Sequence, residues 1–175
     1  MVHKTTETFG KMKGAAKSAG QTLRGHVGIF STLAKEHGEV SALMSRALKT
    51  DDVEERRSLY TKIRQELLSH AHAEDEVLYT RLSRPPETAG EIPHARKEHA
   101  EVEQLLNELQ SMDPGHQSWV NKFEKLKSAV EHHANEEEQE LFPQAQRVMD
   151  NEEARRLDDQ YDIVKQGKMQ HMTSH

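Results

Sequence analysis

The chain repeats itself, and the repeated positions are polar where a helical protein would place apolar residues. Lys35-Glu36-His37-Gly38-Glu39-Val40 returns 62 residues later as Lys97-Glu98-His99-Ala100-Glu101-Val102. A second stretch, His70-Ala71-His72-Ala73-Glu74-Asp75-Glu76-Val77-Leu78-Tyr79, returns after 63 residues as His133-Ala134-Asn135-Glu136-Glu137-Glu138-Gln139-Glu140-Leu141-Phe142. His, Glu and the closing aromatic stay in register. A chain built this way reads as a duplicated helix pair, each copy carrying one lone His and then His-x-x-x-Glu. Four imidazoles and two carboxylates, the ligand set of a two-metal site, have to be accommodated together.

Helical periodicity supplies the frame. Ile29, Leu33, His37, Val40, Met44 and Leu48 recur every three or four residues and predict a first helix from about Ile29 to Lys49. Thr50-Asp51-Asp52 ends it and offers caps for a second helix from about Glu54 to Leu82, with Leu59, Ile63, Leu67, His70, Glu74 and Leu78 on one stripe. Arg84 to Gly90 breaks the pattern, Pro93 suits the first turn of a third helix, and His99, Val102, Leu106 and Leu109 form its inner stripe to about Met112. After the turn Asp113-Pro114-Gly115, a fourth helix carries Trp119, Phe123, Leu126, Val130, His133, Glu137 and Leu141, and Pro143 should kink or stop it. A shorter fifth helix spans Asn151 to Gln166, with Leu157, Tyr161 and Val164 as its apolar contacts. The expected fold is all-α: an up-down-up-down four-helix bundle with a short C-terminal fifth helix. His37 to His70 spans 33 residues and His99 to His133 spans 34, so all six polar residues should meet at one depth.

Composition narrows the chemistry. The chain has 175 residues, which reads as one domain, divided here into a basic N-terminal arm (1–26), the bundle (27–166) and a disordered tail (167–175). It has no cysteine, which removes thiolate metal sites, iron–sulfur clusters and Cys nucleophiles, so any metal must be held by nitrogen and oxygen. A formal charge of −6 argues against a nucleic-acid surface, although Lys4, Lys11, Lys13, Lys17 and Arg24 make the arm locally basic. No apolar run is long enough to span a membrane and Met1 to Gly20 lacks a secretory apolar region, so a cytoplasmic location is expected.

His and Glu four residues apart project from one helix face, about 5–6 Å apart at Cβ. One such pair is common on a solvated surface. Two pairs at core positions are different, because burying imidazoles and carboxylates without partners costs several kcal/mol per group. A metal supplies the partner, and imidazole plus shared carboxylate without thiolate suits a pair of iron or manganese ions better than structural zinc. His72 and His132 fall off the inner stripe, His26 and His94 sit near helix starts, and His3, His116, His171 and His175 lie in turns or tails; all are expected at the surface. The Glu-x-x-His of ferritin-like bundles occurs as Glu91-Ile92-Pro93-His94, broken by proline in a linker. Zincin, phosphate-loop and nucleophile-elbow motifs are missing.

These motifs resemble the hemerythrin-like family, the HHE cation-binding domain, over about residues 27 to 166. The resemblance implies a non-haem di-iron centre with two iron ions, oxo- or hydroxo-bridged. Carried over, His37 and His70 bind one iron, His99 and His133 the other, and Glu74 and Glu137 bridge. The chain departs from the oxygen-carrying members, which have a further His one turn from the third-helix ligand; here those positions are Ala95 and Glu103, which makes Glu103 a candidate extra ligand. The expected function is to bind, sense or react with a small oxidant such as dioxygen, peroxide or nitric oxide, with a protein or redox partner and neither nucleic acid nor membrane. Tyr60 and Tyr79 are the candidate proton donors. The alternative is iron handling: storage, delivery or repair of iron centres.

Overall fold

The structure, a computed structural model, describes residues 25–173. The basic arm, apart from its last two residues, and His3 and His175 lie outside the described residues. Helix α1 is Ile29–Lys49. Helix α2, Val53–Glu74, passes through a π-helical turn, Asp75–Tyr79, into α3, Thr80–Leu82. The linker contains a single helical turn, α4, Pro86–Ala89. Then come α5, Ile92–Gln110, and α6, Gln117–Glu136, whose π turn Glu137–Leu141 leads into α7, Phe142–Val148. Helix α8 is Asn151–Thr173.

Packing closes a four-membered ring of long helices: α1 lies against α2 and α6, and α5 lies against α6 and touches α2. The expected all-α bundle is the observed one, and α8 lies along α1 and α2. Asp52 caps α2 by accepting from the amides of Glu54 and Glu55 at 2.9 and 3.2 Å. His116, expected in a turn, caps α6, its Nδ1 accepting from the Ser118 amide at 3.2 Å.

Three expectations are corrected. Residues 167–173, expected as disordered tail, continue α8. That helix is tied down as late as Lys165, whose Nζ lies 2.7 Å from Glu36 and 3.1 Å from Glu66. One half-buried helix glycine, Gly167, costs only about 1 kcal/mol and does not stop it. Pro143 does not end the fourth helix either, since α7 runs to Val148. His94 is not in a linker: Pro93 lies in the first turn of α5, which places His94 on the helix.

The π turns are duplicated like the sequence. Each begins at or just after the glutamate of His-x-x-x-Glu. Pro143 cannot be their common cause, because its counterpart in the first copy is Thr80, whose hydroxyl donates to the Asp75 carbonyl at 3.0 Å. Single π turns recur at functional sites, where the inserted residue re-aims side chains.

The apolar interior is in two parts. One core gathers Phe30, Leu33, Leu78, Leu82, Phe142 and Tyr161 among others. The second holds Met44, Ile63, Leu106, Trp119, Phe123 and Leu126. Along every long helix the polar residues fall between them: His37 lies between Leu33 and Val40, His70 and Glu74 between Leu67 and Leu78, His99 between Ala95 and Val102, and His133 and Glu137 between Val130 and Leu141.

Candidate metal centre

The structure brings all six sequence-expected residues into that one layer. His37, His70, His133, Glu74 and Glu137 are buried, and His99 is nearly so, with 13% of its side chain exposed. They form two triads, His37 with His70 and Glu137, and His99 with His133 and Glu74; within each, one donor atom per residue lies within 4.8 Å of the others. The carboxylates sit between the histidine pairs. Glu74 Oε2 is 3.3 Å from His70 Nε2 and 3.4 Å from His99 Nε2. Glu137 Oε2 is 3.4 Å from His37 Nε2 and 3.5 Å from His133 Nε2. Each glutamate therefore faces one imidazole from either pair.

A second ring of carboxylates aims the imidazoles. His70 Nδ1 donates to Glu36 Oε2 at 2.8 Å, His133 Nδ1 to Glu98 Oε2 at 2.8 Å, and His37 Nδ1 to Glu138 Oε1 at 2.9 Å. With Nδ1 committed to a carboxylate, Nε2 is the ring nitrogen turned inward, where a cation would displace its proton, the usual support of a metal-binding histidine. Sequence reasoning missed these three glutamates, although the repeat had carried two of them in view. Glu36 and Glu98 are the Glu of Lys-Glu-His, and each reaches the His of the following helix rather than its own neighbour. His99 is the exception. Asp75, the counterpart of Glu138, pairs with Arg96 instead, and the His99 ring stacks on Tyr79 with centroids 5.2 Å apart.

Helix α8 completes the support. The buried Tyr161 hydroxyl donates to Glu36 Oε2 at 2.6 Å and lies 3.0 Å from His70 Nδ1. Tyr79 enters the layer as expected, its hydroxyl donating to Glu137 Oε1. Tyr60 does not: its hydroxyl donates to the Leu106 carbonyl in the far core. Glu103 is exposed and belongs to neither triad, and Ala95 is buried among apolar residues. His72, His94, His116, His132 and His171 are exposed, whereas His26 is half-buried, edge-on to Phe142.

Charge is concentrated here. Burial opposes a positive His37, but the carboxylates of Glu137 and Glu138 outweigh it and raise its pKa to about 10. Burial likewise works against protonation of His70 and His133, and their glutamate neighbours shift both upward. Glu74 is held well below the usual carboxylate range by His70 and His99, against the burial that would raise it. Glu36 falls to about 2, with bonds from His70, Lys165 and Tyr161 overcoming burial. Burial and the charges of Glu137 and Glu74 push Tyr79 well above an ordinary tyrosine, so it keeps its proton.

The residues fit a metal cation. His37 Nε2, His70 Nε2, both oxygens of Glu74 and Glu137 Oε2 are buried without a hydrogen-bond partner. Such atoms are costly unless something binds them, and an imidazole-carboxylate set with no thiolate is suited to a hard or borderline cation. A cavity of about 530 Å³ opens onto all four imidazoles, walled by Val40, Leu43, Leu67, Val102 and Val130.

The hemerythrin HHE cation binding domain family matches residues 28–145. The chain belongs to this family. The match ends before α8, so Tyr161 and Lys165 lie outside the hemerythrin segment. Among curated proteins, a DNA nickase of Nostoc sp. (strain PCC 7120 / SAG 25.82 / UTEX 2576) is 26% identical over 114 residues, which is 65% of this chain and 32% of that protein. The chain thus spans about a third of the length of the curated relative it matches. No solved structure matches. Among the described residues no helix is long and apolar enough to cross a membrane.

Proposed function

We propose that this hemerythrin-like protein holds two iron ions and uses them to bind, sense or react with a small oxidant: dioxygen, peroxide or nitric oxide. The observation that carries this reading is the position of Glu74 and Glu137, each facing one histidine of either pair, as two bridging carboxylates would. In this reading His37 and His70 hold one ion and His99 and His133 the other. A di-iron pair supplies one- and two-electron exchange with the oxidant. The chain does the rest. Glu36, Glu98 and Glu138 fix imidazole direction, and the cavity sets an apolar wall of Val40, Leu43, Leu67, Val102 and Val130 beside the imidazoles, with Glu36, Glu39, Arg46, Lys62, Glu66 and Lys165 also on its lining. Tyr79, its hydroxyl donating to Glu137 Oε1 and lying 3.5 Å from His99 Nε2 and His133 Nε2, keeps its proton and orients Glu137 at the edge of the layer.

The test is anaerobic reduction of iron-loaded protein followed by air, with metal content and the near-ultraviolet and visible spectrum recorded together. About two irons per chain, with a charge-transfer band that appears in air, is the expected result. Zero or one iron overturns the assignment. Iron stripped within seconds by chelator at neutral pH would favour iron handling instead. The nickase relative motivates one further reading, metal-dependent strand cleavage, which a supercoiled plasmid assay with and without chelator would decide.

A further inference from the structure

Outside the buried layer a second group of donors has formed on the surface. His94 and Glu98 lie four residues apart on α5, and His132 and Glu136 four apart on α6, so the outer faces of these two packed helices repeat the inner His-x-x-x-Glu spacing. His94 Nε2 is 3.0 Å from Glu136 Oε2 and 3.5 Å from Glu98 Oε1. His132 Nε2 is 3.0 Å from Glu136 Oε1 and 3.6 Å from Glu98 Oε1. Both imidazoles thus contact both carboxylates. We propose that His94, Glu98, His132 and Glu136 form a second, solvent-facing site for a divalent transition-metal cation.

Three features separate this group from an ordinary surface ion pair. Single atoms of His94, Glu98 and Glu136 already lie within 4.8 Å of one another, so small side-chain shifts would bring them onto one ion. No lysine or arginine contacts either carboxylate among the described residues, so imidazoles alone face the two negative charges. Imidazole nitrogen and carboxylate oxygen are the donor types of a zinc-class site, and His132, held 3.0 Å from Glu136 Oε1, is the neighbour placed to supply a fourth donor. One donor, Glu98, is anchored from within: its Oε2 accepts from the buried His133 Nδ1 at 2.8 Å, leaving Oε1 turned toward the surface pair. Pro93 fixes the start of α5 one residue before His94, which gives the α5 side of the site a set helical position. Glu98 therefore joins the outer site to the buried one, and a cation outside would draw on the same carboxylate that aims His133.

The test is calorimetric titration of the full chain, as purified and with its resident iron measured first, using zinc chloride alone. The proposal expects one zinc equivalent per chain in the wild type without loss of resident metal. It expects binding weaker by about tenfold or more in His94→Ala and in Glu136→Gln, with His94→Ala/His132→Ala losing it. Resident metal content and the helical circular dichroism should be unchanged in all three. His72→Ala, which removes an exposed histidine elsewhere, should bind zinc as the wild type does. No zinc uptake by the wild type, equal uptake by the double variant, or an equal fall in His72→Ala would each overturn the site. Because the readout is zinc, it stands or fails separately from the buried centre: absence of iron with a zinc equivalent intact would sink the di-iron reading alone.

Discussion

At the scale of residues, the most informative feature is that three of the four central histidines are each defined by their other nitrogen. Glu36, Glu98 and Glu138 leave Nε2 of their imidazoles pointing into the layer, and without them the rings would be free to turn. Glu36→Gln and Glu98→Gln preserve size and weaken the acceptor. Each should lower affinity for the resident metal by about 10- to 100-fold with helix content unchanged, measured by competition with a coloured chelator. His70→Ala removes a buried donor and should lose at least one metal equivalent, while the exposed His72→Ala should lose none; equal metal content in the two variants would contradict the ligand assignment. Only two of the three orienting glutamates could have been read from the sequence, as the middle residue of Lys-Glu-His. Glu138 has no such signal, because its counterpart Asp75 faces Arg96.

At the scale of elements, the helices divide the labour between holding the site and holding the fold. The far core, around Trp119 and Phe123, contributes no side chain to the metal layer, and their rings stack with centroids 4.7 Å apart. Phe123→Ala should cost about 3–5 kcal/mol in urea unfolding while leaving metal stoichiometry unchanged, because the cavity forms away from the layer. The opposite end depends on one glycine. Gly28 precedes α1 with φ of 59°, and a Cβ there would lie 2.4 Å from the Ala154 carbonyl group of α8. Gly28→Ala adds backbone strain to a contact that cannot yield without parting α1 from α8. A loss of about 1–3 kcal/mol is expected from strain alone, and an unchanged unfolding midpoint would show that α8 is not pressed on α1 in solution. Helix α8 also reaches the centre through Tyr161 and Glu36, so a fifth helix that reads as a short amphipathic addition is part of the support of His70.

At the scale of the molecule, two apolar cores are separated by a layer of four imidazoles and two carboxylates, five of whose buried donor atoms have no hydrogen-bond partner. Removing resident metal with chelator should lower the melting temperature, since a ligand bound only by the folded state stabilises it by about 2.7 kcal/mol at a hundredfold excess over Kd. Differential scanning calorimetry with and without chelator checks this, and an unchanged midpoint would mean the layer closes on itself. The repeat and its periodicity were enough to give the all-α bundle with its C-terminal helix and to bring six polar residues to one depth, because a fixed helical phase keeps those His and Glu on the inner stripe. Tertiary packing decided what periodicity does not encode. It set which carboxylate aims which imidazole, whether Tyr60 or Tyr79 reaches the centre, how far α8 runs past Gln166, and that His94 and His132, surface residues by phase, meet across two helices over Glu98 and Glu136. A helical stripe fixes the direction of a side chain on its own axis; its partner depends on the rotation and offset of the next helix, which packing alone supplies.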